Sequence, residues 1–155
     1  MSHEARFAEL GLELPPAPKP IGVYKPIVMV DNLAYLSGHG PLQTDGTLIV
    51  GCIGQDLDQQ AGYKAAQQTG LALLATLRAA LGSLDRVQRV VKLFGLVNCV
   101  ADFDQHPAVI NGCSELFALV FGPDAGVGAR SAVGAASLPG GMAVEIETIV
   151  ELTRP

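Results

Sequence analysis

From Ala143 to Leu152 the chain alternates: Val144, Ile146, Thr148 and Val150 fall on one side, Glu145, Glu147 and Glu151 on the other. A period of two with one apolar and one acidic face describes a strand that is dry on one side only. Such a strand belongs in a sheet whose apolar face is covered. Asp56 to Leu81 supplies a cover. It reads as a long helix capped by Asp56 or Asp58 and stopped by Gly82. Ala66, Gly70, Leu73, Leu77 and Leu81 recur at helical spacing and mark its buried face, and the small Ala65, Ala66 and Gly70 permit close packing.

The remaining elements follow from local signals. Residues 4–12 read as a short amphipathic helix stopped at Gly11. Four prolines between Pro15 and Pro20 make an extended connector into the domain. Val23 to Val30 and Leu33 to Ser37 are predicted strands about an Asp31-Asn32 turn, and Leu48 to Gly51 is a third, short one. The valines at 87, 90, 91 and 97 predict a strand over 87–98. Asp102 or Asp104 is expected to cap a helix with Pro107 in its first turn, running to Phe121 before Gly122-Pro123. Arg130 to Ser137 and Ala143 to Leu152 are expected to form a hairpin about Pro139-Gly140-Gly141.

The order β-β-β-α-β-α-β-β predicts a single α/β (α+β) domain over residues 21–155, preceded by the helix and connector of 1–20. Its natural layering is a mixed β-sheet with two helices on one face. The 155 residues are 49% hydrophobic and only 16% charged. That leaves apolar surface to bury elsewhere, so the bare sheet face is expected to meet other copies of the chain.

Composition also excludes. A net charge of −5 and a pI near 5.0, with no basic run, disfavour nucleic-acid binding. Absence of Trp and 5% aromatics disfavour base stacking. Cys52, Cys99 and Cys113 are odd in number and widely spaced, which predicts neither disulfides nor a zinc site but buried thiols in a reducing cytoplasm. The N-terminus lacks the apolar run of a signal peptide, and no stretch approaches a membrane span. There is no nucleophile elbow, dinucleotide fingerprint or P-loop, and neither cofactor nor metal is expected.

One residue stands apart. Arg130 is the only Lys or Arg between Lys92 and Arg154, at the head of a run of small residues. A planar guanidinium in such a setting is suited to grip a carboxylate with two parallel hydrogen bonds. Glu145, expected on a strand beside it, could steer and deprotonate a water, with Glu147 on the same face as its competitor. Tyr24 and Phe117 could wall an apolar cleft, and Ser37 with the backbone N–H groups from Gly38 onward could bind carboxylate oxygens. Asn111 is unfavourable inside a helix and so is a candidate contact, and His39 sits between two glycines.

Several of these segments together resemble a known family. They are Ile21-Gly-Val-Tyr24, Asn32-Leu-Ala-Tyr-Leu-Ser-Gly38 with Pro41, the helix ending Ala79-Ala-Leu-Gly82, and Arg130-Ser with Leu138-Pro and Val144-Glu-Ile-Glu147. The pattern, over about Pro20 to Leu152, resembles the reactive intermediate deaminase family, also called YjgF-like or L-PSP endoribonuclease-like. The resemblance implies a chorismate-mutase-like fold and a homotrimer with clefts between subunits. There, enamine or imine products of amino-acid degradation are hydrolysed to 2-keto acids and ammonia. It implies that Arg130 pairs with the substrate carboxylate, and that Tyr24, Ser37, Asn111 and Glu145 occupy the family's site positions. Ala132 replaces a frequent family Cys, His39 replaces a usual Gln, and the segment before Arg130 is longer than in compact members. The ribonuclease activity in one family name runs against the acidic charge. Binding a 2-keto acid without turnover is the alternative to catalysis.

Overall fold

The computed structural model describes residues 1–154. Helix α1 spans His3–Glu9. Strands β1 (Ile27–Val30) and β2 (Leu33–His39) follow, then helix α2 (Gln59–Leu81), strand β3 (Val87–Asn98), helix α3 (His106–Phe121), and strands β4 (Ala129–Ala135) and β5 (Val144–Leu152). The five strands form one sheet in the order β1-β2-β5-β3-β4. Only β3 and β4 run parallel; the other neighbours are antiparallel.

The two long helices lie where the sequence places them. Asp58 caps α2 by accepting from the Ala61 N–H at 2.7 Å, and Gly82 ends it in the left-handed region at φ 82°. Pro107 sits in the first turn of α3, but neither Asp102 nor Asp104 caps it; Gln105 holds that position without a side-chain bond. The helices approach each other closely at Gly112, where a Cβ would collide with the Tyr63 carbonyl. At Gly95 of β3 a Cβ would lie 2.6 Å from Ile110 of α3, so that glycine lets the helix sit down on the sheet. The core between them gathers Leu73, Leu74, Leu77, Ile110, Leu116, Phe117, Val97, Ile146 and Val150.

Two expectations about strands are overturned. Leu48 to Gly51 is not a strand: it makes only the isolated bridges Leu42↔Leu48 and Val50↔Met142, and Gly46 and Gly51 break the extended backbone at φ 85° and 136°. The C-terminal strands do not form a hairpin either. β3 lies between β4 and β5, pairing Arg130 with Leu93 on one side and Thr148 with Leu93 on the other. The excursion through α3 returns the chain parallel to β3, as a strand–helix–strand crossover does, and the Pro139–Gly141 turn then carries it past β3. Finally, β1 starts only at Ile27, and the preceding residues, Tyr24 included, form bends.

Cross-strand partners share a face. Ala34, Leu36, Ile146, Thr148, Val150 and Leu93 point into the helical layer and are buried. Val28, Tyr35, Ile149, Phe94, Glu147 and Glu145 occupy the opposite face. That face carries no helix, and Val28 and Tyr35 remain 47% and 43% exposed.

Candidate functional site

All of the predicted site residues except Phe117 fall into two separate groups. The first surrounds a cavity of about 540 Å³ at the β2–β5 end of the sheet, lined by Tyr24, Ser37, Gly38 and Glu145 together with the connector residues Pro18 to Ile21. The second surrounds a smaller cavity of about 260 Å³ under β4, lined by Arg130, Asn111 and Ser114.

In the first group, the β2–β5 register slips between Leu36 and His39, which throws Ser37 and Gly38 out of the regular ladder. Glu145 lies over Gly38 so closely that any side chain there would strike its carboxylate. Burial raises the Glu145 pKa above the ordinary carboxylate value, and the charge of nearby Glu147 raises it further. The Ser37 hydroxyl donates to the Lys25 carbonyl at 2.6 Å, which ties β2 to the segment before β1 and leaves the oxygen free to accept. The Tyr24 hydroxyl accepts from the Ile21 N–H at 3.4 Å.

His39 fixes the bulge from behind. It is 4% exposed, with Nδ1 at 2.6 Å from the Ser37 carbonyl and Nε2 at 2.7 Å from the Thr76 hydroxyl of α2. A carbonyl only accepts, so Nδ1 carries the proton and Nε2 accepts from Thr76. Burial lowers the His39 pKa, against the opposing pull of the Ser37 carbonyl. The ring is therefore a neutral strut between the bulge and the helix. Sequence alone offered only a histidine between glycines; Thr76, its partner, carried no signal beyond being polar in an apolar helix.

In the second group, Arg130 extends beneath α3. Its Nη1 donates to Asn111 Oδ1 at 2.8 Å and Ser114 Oγ at 3.1 Å, and its Nη2 to the Pro107 carbonyl at 3.5 Å. All three acceptors are neutral. Among the described residues the ion pairs are Arg78–Glu4 and Arg89–Asp124, so Arg130 meets no carboxylate of those residues. Asn111 thus holds the guanidinium. Ser114 shares that task, and its signal was the three-residue spacing from Asn111 that puts both on one helix face.

Two readings of the sequence are corrected. Glu145 is not beside Arg130: the two strands are separated by β3, and Arg130 faces the helices whereas Glu145 faces away from them. Phe117 walls no cleft. It is 0% exposed in the core, edge-on to Phe121 at 5.7 Å, because that side of α3 rests on the sheet. Among the described residues no group of three or more His, Cys, Asp or Glu could hold a metal ion, and no helix is long and apolar enough to cross a membrane.

A β-β-α-β-α-β-β fold with an unpaired arginine on its edge strand and a carboxylate over a glycine bulge defines a class, and comparison with known proteins gives it a name. Residues 4–145 match the model of the family described as YjgF/chorismate mutase-like, putative endoribonuclease, and the chain belongs to that family. It is 40% identical to Protein TCP17 of Trypanosoma cruzi over 148 residues, covering 96% of this chain and 92% of that one. It is 32% identical to a 2-iminobutanoate/2-iminopropanoate deaminase of Dermatophagoides farinae over 140 residues, covering 90% and 93%. Among solved structures, a putative endoribonuclease from Shewanella oneidensis superposes with a TM-score of 0.93 at 29% identity, covering 98% of this chain and all of that one.

Proposed function

We propose that the protein hydrolyses 2-imino acids and their enamine tautomers to 2-keto acids and ammonia. The clefts would lie between subunits of a homotrimer, each built from the Arg130 group of one subunit and the Tyr24, Ser37, Gly38 and Glu145 group of its neighbour. The observation that carries this reading is the guanidinium of Arg130, held in place by neutral acceptors with no carboxylate among the described residues to neutralise it. A fixed cation without a partner is prepared for an anionic ligand. The partly exposed Val28, Tyr35 and Val133 on the bare sheet face favour association. The reaction named for the Dermatophagoides relative favours the same chemistry.

The substrate carboxylate pairs with the free N–H groups of Arg130, and the imine carbon comes to lie against Glu145. The imine reacts as its N-protonated iminium form: the Glu145 carboxylate takes a proton from water as the water oxygen bonds to carbon 2, and the C=N electron pair moves onto nitrogen to give a neutral carbinolamine. Glu145 then delivers its proton to that nitrogen, the C–N bond breaks, and as the C=O bond forms the hydroxyl proton passes to the departing ammonia, which leaves as ammonium. One water is consumed, and the proton Glu145 takes is the proton it returns. A carboxyl group with a raised pKa suits both halves of this exchange.

The test generates imino acids with an amino-acid oxidase and traps survivors with semicarbazide. Wild type should suppress the trapped product, and Arg130→Ala should not. A trace that wild type leaves unchanged, with every amino acid supplied, refutes the deaminase reading.

A further inference from the structure

The N-terminal segment is fastened at one end to the helical layer and at the other forms a wall of the cavity. Glu4 accepts from Arg78 Nε at 3.1 Å and Nη2 at 2.6 Å, and from the Leu84 N–H at 2.8 Å. Phe7 is buried, with the Arg78 guanidinium carbon 4.9 Å from its ring centre. Leu10, Leu12 and Leu14 continue along the core. From there the proline-rich stretch crosses to the cavity, where Pro18, Lys19, Pro20 and Ile21 stand among the lining residues. A proline-rich strap is extended before any ligand arrives, so little ordering is left to do on binding.

Along the cavity the chemistry changes. Ser37 and Gly38 lead along the chain to Gly40 and Leu42, and Glu145 leads back to Met142. At Gly40 a Cβ would lie 2.5 Å from the Met142 sulfur and 3.2 Å from Leu48, so the missing side chain lets these apolar groups close around the space. The strap adds Pro20 and Ile21 to the lining of the same cavity. Ile21 lines the cavity and is 89% exposed, so its side chain has apolar surface left for a ligand to cover.

We propose that the strap and this apolar end together form a side-chain subsite that selects substrates bearing a large apolar side chain, such as the imines derived from leucine or phenylalanine. The inference rests on the deaminase reading for the reaction but not for the binding. A methyl group leaves most of the apolar lining wet, whereas a branched or aromatic side chain covers it. An acidic side chain would be stripped of water against Met142 and Leu48, with Lys19 at the strap as its only cationic neighbour among the lining residues.

The experiment measures binding of the product keto acids by calorimetry: 4-methyl-2-oxopentanoate, pyruvate and 2-oxoglutarate, against wild type, Ile21→Asp and Leu48→Asp. Imine hydrolysis with the parent amino acids is measured in parallel. Wild type should bind 4-methyl-2-oxopentanoate at least about 10-fold more tightly than the other two, as expected when several methylene groups enter an apolar pocket. Both substitutions should reduce that ratio to within about threefold. Equal or tighter binding of pyruvate overturns the inference, as does a preference for 2-oxoglutarate, a ratio that neither substitution moves, or no binding at all. Turnover without the preference refutes the subsite alone, and the preference without turnover refutes the deaminase reading alone.

Discussion

Arg130 and Glu145 stand on opposite faces of one sheet, with β3 between their strands. The guanidinium reaches under α3 to Asn111, while the carboxylate lies over Gly38 on the side away from the helices. No rotamer change within one chain carries a side chain through a paired sheet, so chemistry that uses both residues needs two copies of the protein.

That arrangement predicts complementation. Arg130→Ala and Glu145→Gln should each be nearly inactive, with a loss of at least about 2 kcal/mol in transition-state stabilisation for the arginine. Mixed and reassembled at equal concentration, they should recover about a quarter of wild-type activity, because one in four contacts then joins an intact Arg130 to an intact Glu145. Imine hydrolysis in the reassembled mixture is the measurement. If activity stays at the level of the separate mutants, the two residues do not share a cleft across an interface.

Glu145 should cost stability at neutral pH. Its folded pKa is raised above the ordinary 4.5 by burial and by Glu147. Between those two values the folded state binds more protons than the unfolded one, so stability falls as pH rises through that window. Glu145→Gln should therefore melt above wild type at pH 7, and the gap should close by about pH 4, where both states are protonated in wild type. A variant that melts below wild type at pH 7 would show that the carboxylate is stabilising and contradict the assigned cause. Glu147→Gln should lower the Glu145 pKa and shift the acid limb of kcat to lower pH.

Helix packing gives a sharper contrast. The Cβ of Gly112→Ala would meet the Tyr63 carbonyl, which is backbone and cannot rotate away. The Cβ of Gly70→Ala would meet Leu116 at 2.9 Å and the Cys113 sulfur at 3.2 Å, both side-chain atoms. The first should cost about 2–3 kcal/mol, near the upper end for overpacking, and the second less. Thermal melts of the two variants decide it; equal losses would mean that the helices shift as a unit.

The elements written in periodicity were legible. The α2 cap and stop, Pro107 in α3, the long β3 and the alternation of β5 all stand where local signals put them. Pairing was not, since a turn such as Pro139-Gly140-Gly141 looks the same whether the next strand returns beside its predecessor or passes another. Phe117 shows a second limit: helical spacing marks a residue as inward-facing but does not distinguish a core from a cleft. Residue types with strong chemistry, Arg130 and Glu145, were recognisable. The hydroxyls behind the site, Ser114 at Arg130 and Thr76 at His39, were not, because a hydroxyl on a helix, even one spaced three residues from Asn111, has no distinctive sequence signature.

His39 and Thr76 give the last prediction. The imidazole is neutral, donates to the Ser37 carbonyl and accepts from the Thr76 hydroxyl, and burial holds its pKa below 6.5. The unfolded chain therefore binds a proton that the folded one refuses, and stability is lost as pH falls through 6.5 toward the folded value. This contribution opposes that of Glu145 over the same interval, so the check is a difference: the melting temperature of His39→Gln relative to wild type should rise between pH 7 and pH 5. Thr76→Val leaves Nε2 buried without a donor and should cost about 1–3 kcal/mol at pH 7. Because the ring holds the Ser37 carbonyl, Thr76→Val should also loosen the bulge, raising KM more than it lowers kcat. Unchanged kinetics in a destabilised Thr76→Val protein would confine the strut to folding and detach it from the cleft.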